Sequence, residues 1–144
     1  MCERPSCNRW LVILDSSAVV PLLLGHAGYE DIFEALAGAD ALGMGTPTLS
    51  ETGIVLAARL SIDPTGLLGR FVQEYGVQVI PFAEPHWWEA MDAFWRFGKG
   101  HHRAGLNFGD CLTYAVARLA HEPLLCVGDD FAHTDLALVP LPAS

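Results

Sequence analysis

The sequence predicts an α/β domain, an α/β/α sandwich with a mostly parallel central sheet. Short apolar runs of strand length recur along the chain, at Trp10–Leu14, Ala41–Gly45, Val77–Pro81 and Leu124–Val127. Longer stretches with apolar residues at helical spacing separate them. Carboxylates stand where the runs end or the helices begin, as expected at the carboxyl edge of a parallel sheet flanked by helices.

Residues 1–9 read as a loose polar tail, and 10–144 as a single domain. The tail holds Cys2 and Cys7, a pair without the further ligands that a structural zinc site needs. Trp10–Leu14 is a buried strand closed by Asp15. Ala18–Ala37 follows as helix, apolar at Leu22, Leu23, Ile32, Phe33 and Leu36, with a break near Gly25–Gly28. Ala41–Gly45 is a weak strand ended by Thr46-Pro47. A helix then starts at Thr48, whose spacing to Glu51 is that of a capping box, and runs to Leu60. Its apolar positions Ile54, Val55, Leu56 and Leu60 suit a core or a groove for a partner. Pro64–Tyr75 is helix and Val77–Pro81 strand. Pro85–Phe97 is a helix with Trp87, Trp88, Met91, Phe94 and Trp95 spread over a wide face, set for core or dimer packing, with base stacking as the alternative. Asn107 or Gly109 opens a helix that runs to Ala120, ahead of the Leu124–Val127 strand, and Leu136–Val139 adds an edge strand.

Composition narrows the function classes. A hydrophobic fraction of 51% and a mean hydropathy of +0.30 describe a packed domain, against disorder. The apolar run after Arg9 is interrupted by Asp15, Ser16, Ser17 and Pro21, so it makes neither a secretion signal nor a membrane span. Cys111 and Cys126 fall in apolar stretches, the usage of a reduced, cytoplasmic protein. A net charge of −9, from 17 acids against 8 Lys and Arg, argues against a simple nucleic-acid-binding module. It leaves room for an enzyme whose bound cations invert the local field.

The candidate chemistry lies in Asp15, Glu51, Asp110 and the pair Asp129-Asp130. Each alone has a structural reading as a helix cap, a capping-box partner, a dipole partner or a turn residue. Together they could face one crevice, where like charges raise each other's pKa and call for a cation. Oxygen ligands suit Mg²⁺ or Mn²⁺, and a carboxylate-held ion serves phosphodiester hydrolysis by activating water for in-line attack. A second signal is the Gly-flexed loop Lys99-Gly100-His101-His102-Arg103-Ala104-Gly105, where Lys99, His101 and Arg103 could contact phosphate, with Arg59 and Arg70 as an extended rim. A haloacid-dehalogenase type of phosphatase is disfavoured because Ser16-Ser17, not a second Asp two residues on, follows Asp15. A receiver domain would want a late strand-end Lys, and the only lysine is Lys99.

Leu14-Asp15-Ser16-Ser17-Ala18, Thr48-x-Ser50-Glu51, Leu106-Asn107-Phe108-Gly109-Asp110-Cys111 and Leu124-Leu125-x-x-Gly128-Asp129-Asp130-Phe131 together resemble the PIN-domain ribonucleases. The stretch Gly98-Lys99-Gly100-His101-x-Arg103-Ala104-Gly105-Leu106-Asn107 is similar to a subgroup of the VapC toxins of bacterial type II toxin–antitoxin modules. The resemblance implies a PIN fold, Mg²⁺- or Mn²⁺-dependent cleavage of RNA (tRNA, rRNA or mRNA), inhibition by a cognate VapB-like antitoxin, and a homodimer. By position, Asp15, Glu51 and Asp110 match the core acids, with Asp15 and Asp110 as principal metal ligands. Glu51 then binds the ion directly or through water, or orients the attacking water. The family often places its fourth acid three residues before the phenylalanine, which is Gly128 here, so Asp130 takes that role, with Asp129 as the alternate. Ser17 matches the family's small hydroxyl residue near the metal, and Asn107 a polar residue at the site's edge. The competing readings are a metal-dependent DNA nuclease or phosphatase, and a non-catalytic RNA- or partner-binding module. Retention of all the acids argues against the last of these.

Overall fold

Alternation along one short strand sets the layers. In β1 (Leu11–Leu14), Val12 and Leu14 enter one apolar cluster and Ile13 enters another, the period of two that puts successive side chains on opposite faces of a sheet. The computed structural model describes residues 11–142, so Trp10, the expected tail 1–9 and its cysteines lie outside the described residues.

After β1 come α1 (Ser16–Leu24), α2 (Tyr29–Ala37), β2 (Ala41–Gly45), α3 (Thr46–Leu60), α4 (Thr65–Glu74) and β3 (Val77–Ile80). Then follow α5 (Glu84–Phe97), α6 (Phe108–Ala120) and β4 (Leu124–Leu125). The strand order is β3-β2-β1-β4, and every pair is parallel. One face of the sheet carries Ala18 and Val19 of α1, Ile32 and Leu36 of α2, and Leu68 and Phe71 of α4. The other carries Ala90, Ala93 and Phe97 of α5 with Tyr114, Ala115 and Val116 of α6. This is the expected α/β/α sandwich. α3 packs on α1 and α6. A buried hydrogen bond of 2.9 Å between the Thr48 and Thr113 hydroxyls ties α3 to α6.

Several boundaries differ from the sequence reading, for local reasons. The helical stretch Ala18–Ala37 is two helices separated at Gly25–Gly28, the position of the expected break. α3 starts at Thr46 rather than Thr48, with Pro47 in its first turn, where its fixed φ and missing N–H cost nothing. Thr48 and Glu51 therefore form no capping box: Thr48 bonds to Thr113, and Glu51 accepts from Ser16. β4 stops at Leu125, and Leu136–Val139 contributes one bridge, Leu138 to Leu124, instead of a strand. Pro123 and Pro140 flank these segments and lack the N–H that a longer ladder needs. Among the described residues no helix is long and apolar enough to cross a membrane.

With all strands parallel, their carboxyl ends share one edge, and the N-termini of the helices antiparallel to them lie at that edge. The backbone N–H of Asp15 donates to the Leu125 carbonyl at 3.0 Å, which locks the ends of β1 and β4 together.

Candidate active site

Asp15 is 5% exposed and caps α1, its Oδ2 accepting from the Ser17 N–H at 3.1 Å. The Ser17 Oγ accepts from the Val127 N–H at 2.9 Å, so the start of α1 also holds the chain leaving β4. Ser16 donates through Oγ to Glu51 Oε1 at 3.2 Å, joining α1 to the second turn of α3. At the start of α6, Asn107 Oδ1 accepts from the Asp110 N–H at 2.8 Å, while Asp110 Oδ2 accepts from the Asn107 N–H at 3.1 Å. This reciprocal cap fixes Asp110, itself buried, at a helix N-terminus.

Gly109 brings α6 against Glu51. A Cβ at that position would lie 2.7 Å from Glu51 Oε2, closer than side-chain carbons approach. The sequence reading gave neither Gly109 nor Ser16 a place beside Glu51, because contacts between positions so far apart leave no local pattern.

The turn after β4 is anchored at both ends. Ser17 holds Val127, and further along Phe131 is buried. Asp135 accepts from the Tyr114 hydroxyl at 2.6 Å and from Arg96 at 2.9 Å, with Arg118 at 3.6 Å. Burial pushes the Asp135 carboxyl up, but these donors outweigh it and hold it below the ordinary carboxylate range. Gly128 has φ +97°, a left-handed conformation that side-chain-bearing residues rarely adopt, which explains why no acid stands there.

Electrostatic coupling links four of these acids. Burial raises Asp110 to about 6, helped by the charges of Asp130, Asp15 and Glu51 and opposed by its bond to the Asn107 N–H. Burial and the Asp15 charge raise Glu51, while the Ser16 hydroxyl pulls it back. The Cys126 thiol is pushed up to about 12 by burial and by Asp15, Asp130 and Asp110, so it stays protonated beneath the cluster. Asp15, Glu51, Asp110 and Asp130 thus feel one another across four segments of chain. Asp129 and Asp130 are both exposed, and of the two only the charge of Asp130 is among these causes. Among the described residues, the ion pairs Arg70–Glu74, Arg96–Asp92 and Asp135 with Arg96 and Arg118 do not involve these four acids.

An all-carboxylate donor set fits a hard divalent cation. Among the described residues, no group of three or more His, Cys, Asp or Glu side chains could hold such an ion unaided.

The loop between α5 and α6 is closed at its base by the Lys99 N–H to Leu106 carbonyl bond of 2.9 Å. Lys99 lines a cleft with Asn107 and Phe108. His101 packs edge-on against Phe94 and Trp95, with centroids at 4.7 and 4.6 Å, and so sits on the aromatic face of α5. Arg103 is exposed on the same loop. Arg70 is engaged with Glu74 on the exposed face of α4.

The fold around these acids is a parallel four-stranded sheet between helical layers. The family model for the PIN domain matches residues 12–136. Ribonuclease VapC36 of Mycobacterium tuberculosis is 47% identical over 126 residues, covering 87% of this chain and 91% of that protein. Among solved structures, VapC20 of M. tuberculosis, described as a Sarcin-Ricin loop cleaving toxin, aligns with a TM-score of 0.74 at 18% identity, over 89% of this chain and 98% of that one. A toxin–antitoxin complex from Klebsiella pneumoniae aligns with a TM-score of 0.67 at 15% identity, over 89% of this chain and 96% of that one. The chain belongs to the PIN-domain family, in its branch of VapC ribonucleases.

Proposed function

We propose that the protein is the toxin of a type II toxin–antitoxin pair, an endoribonuclease that uses Mg²⁺ or Mn²⁺. The observation that carries this reading is the cluster of Asp15, Glu51, Asp110 and Asp130, drawn from four segments to one sheet edge in a chain of the VapC branch. Asp15 and Asp110 would hold the ion, with Asp130 and Glu51 reaching it directly or through water. When bound, the ion supplies the positive charge that offsets the acids and stabilises the phosphoryl oxygens during in-line displacement. Glu51 orients the attacking water through Oε2, the oxygen that Ser16 does not engage, and accepts its proton. Ser17 and Asn107 hold Asp130 and Asp110 in place through the backbone.

The substrate is cellular RNA, with Lys99 and Arg103 providing phosphate contacts at the loop. The controlling partner is a VapB-like antitoxin carrying a basic residue for the acids, in keeping with the complex known for the Klebsiella neighbour and with the −9 charge of this chain. An apolar cleft of about 640 Å³ between α3 and α4, lined by Leu49, Ile54, Ala57, Leu68 and Val72, reaches Ser50 beside Glu51 and could seat that partner's segment. The reading includes a homodimer in the cytoplasm, with exposed Trp88 and Trp95 of α5 available for the second copy.

Purified protein is to be incubated with end-labelled tRNA and rRNA fragments in Mg²⁺ or Mn²⁺, against EDTA and an Asp15→Asn control. Discrete products that vanish in both controls are expected. Undiminished cleavage by the Asp15→Asn protein would overturn the assignment.

A further inference from the structure

Phe108 opens α6 two residues before Asp110, yet its ring is 80% exposed. It is also the wall shared by two clefts. One, of about 350 Å³, holds Glu51 beside Ile54, Val55 and Leu112. The other, of about 570 Å³, runs between α5 and α6, where Trp87, Met91 and Phe94 face Lys99 and Asn107.

Lys99 is the chain's only lysine, and it stands in this mostly apolar cleft of a protein with net charge −9. A flat apolar face, one cation at its margin and the carboxylate cluster across Phe108 correspond to three neighbouring parts of one ligand. These are a nucleobase, its backbone phosphate and the phosphate to be cut. Aromatic faces bind bases by stacking, without regard to sequence, while Lys supplies a phosphate contact.

We propose that Phe108, with the two clefts it divides, forms a nucleobase subsite for single-stranded RNA, in which a base stacks on the Phe108 ring and the adjoining phosphate lies at Lys99. This rests on the endoribonuclease reading and adds the part of the substrate gripped beside the scissile bond. Trp88 and Trp95 do not line either cleft, so a second copy of the chain has a separate face to use.

The test uses protein carrying Asp15→Asn, which binds without cutting, with and without Phe108→Ala or Phe108→Trp. A labelled mixed-sequence single-stranded RNA oligomer is titrated in Mg²⁺ by fluorescence anisotropy, and inorganic polyphosphate serves as a base-free competitor. Phe108→Ala should weaken RNA binding roughly 5- to 100-fold, Phe108→Trp should restore it, and competition by polyphosphate should not change. Unchanged RNA affinity in Phe108→Ala, or an equal loss for polyphosphate, would sink the subsite. So would a dimer-to-monomer shift of Phe108→Ala in sedimentation, which would assign the ring to a second copy. Failure of the underlying reading shows separately, as absence of metal-dependent cleavage by the wild-type protein.

Discussion

At the scale of the residue, Asp110 gives the sharpest expectation. Its carboxyl is raised from 3.8 to about 6, so between those values the folded protein holds a proton that the unfolded chain releases. Metal-free stability should therefore fall as pH rises through that window, with the full penalty present above it. The shift corresponds to roughly 3 kcal/mol at most. Asp110→Asn should abolish cleavage yet raise the melting temperature in EDTA. The gap from wild type should be near zero at the acid end of the window and open towards neutral pH. A gap independent of pH would place the strain elsewhere. Gly109→Ala tests a different contact. The added methyl would displace the Glu51 carboxylate from α6. Metal-dependent cleavage should fall at least about tenfold while circular dichroism is unchanged, because Ala suits a helix and the cost falls on the position of Glu51. Wild-type turnover by Gly109→Ala would show that Glu51 needs no such seat.

At the scale of the element, α6 carries the site because its cap is built into the sequence. Asn107→Ala removes the side-chain half of the reciprocal cap and should cost about 1 kcal/mol in urea unfolding. It should also weaken catalysis more than that loss of stability accounts for, since the Asp110 N–H loses its acceptor and the first turn that positions the Asp110 carboxylate is loosened. Asn107→Asp, which keeps the capping oxygen, should recover stability but not activity, because it adds a charge to an acidic cluster. The sequence placed the start of α6 at Asn107 or Gly109 without its reciprocal cap, whereas the layered fold, the break at Gly25–Gly28 and the acids closing the strands were legible. The start of α3 was not. Thr48 and Glu51 have the spacing of a cap, but Pro47 initiates the helix earlier and frees both side chains for tertiary bonds. The preference for Asp130 over Asp129 came from the family resemblance, and no local pattern could decide it. It depends on a left-handed Gly128 and on distant anchors at Ser17 and Asp135, none of which a local window contains.

At the scale of the whole molecule, the −9 charge and the proposed ion site predict two separable responses of stability to cations. Any salt screens the general repulsion, and the Debye length of about 8 Å at 0.15 M ionic strength means that NaCl does this as well as MgCl₂. On the proposed reading, a divalent ion held by Asp15 and Asp110 would add a specific term, because it would bind the folded chain alone. At a hundredfold excess over Kd that term is about 2.7 kcal/mol, enough to raise the melting temperature by several degrees in a domain of this size. Wild-type protein should therefore melt higher in MgCl₂ or MnCl₂ than in NaCl of matched ionic strength, and EDTA should erase the difference. Asp15→Asn and Asp110→Asn should show the response to ionic strength and lack the specific gain. They begin with part of the repulsion already relieved, so their melting curves in EDTA should lie above that of the wild type and converge with it as divalent ion is added. An equal divalent gain in all three proteins would move the ion away from these acids and leave the cluster as a solvated negative surface.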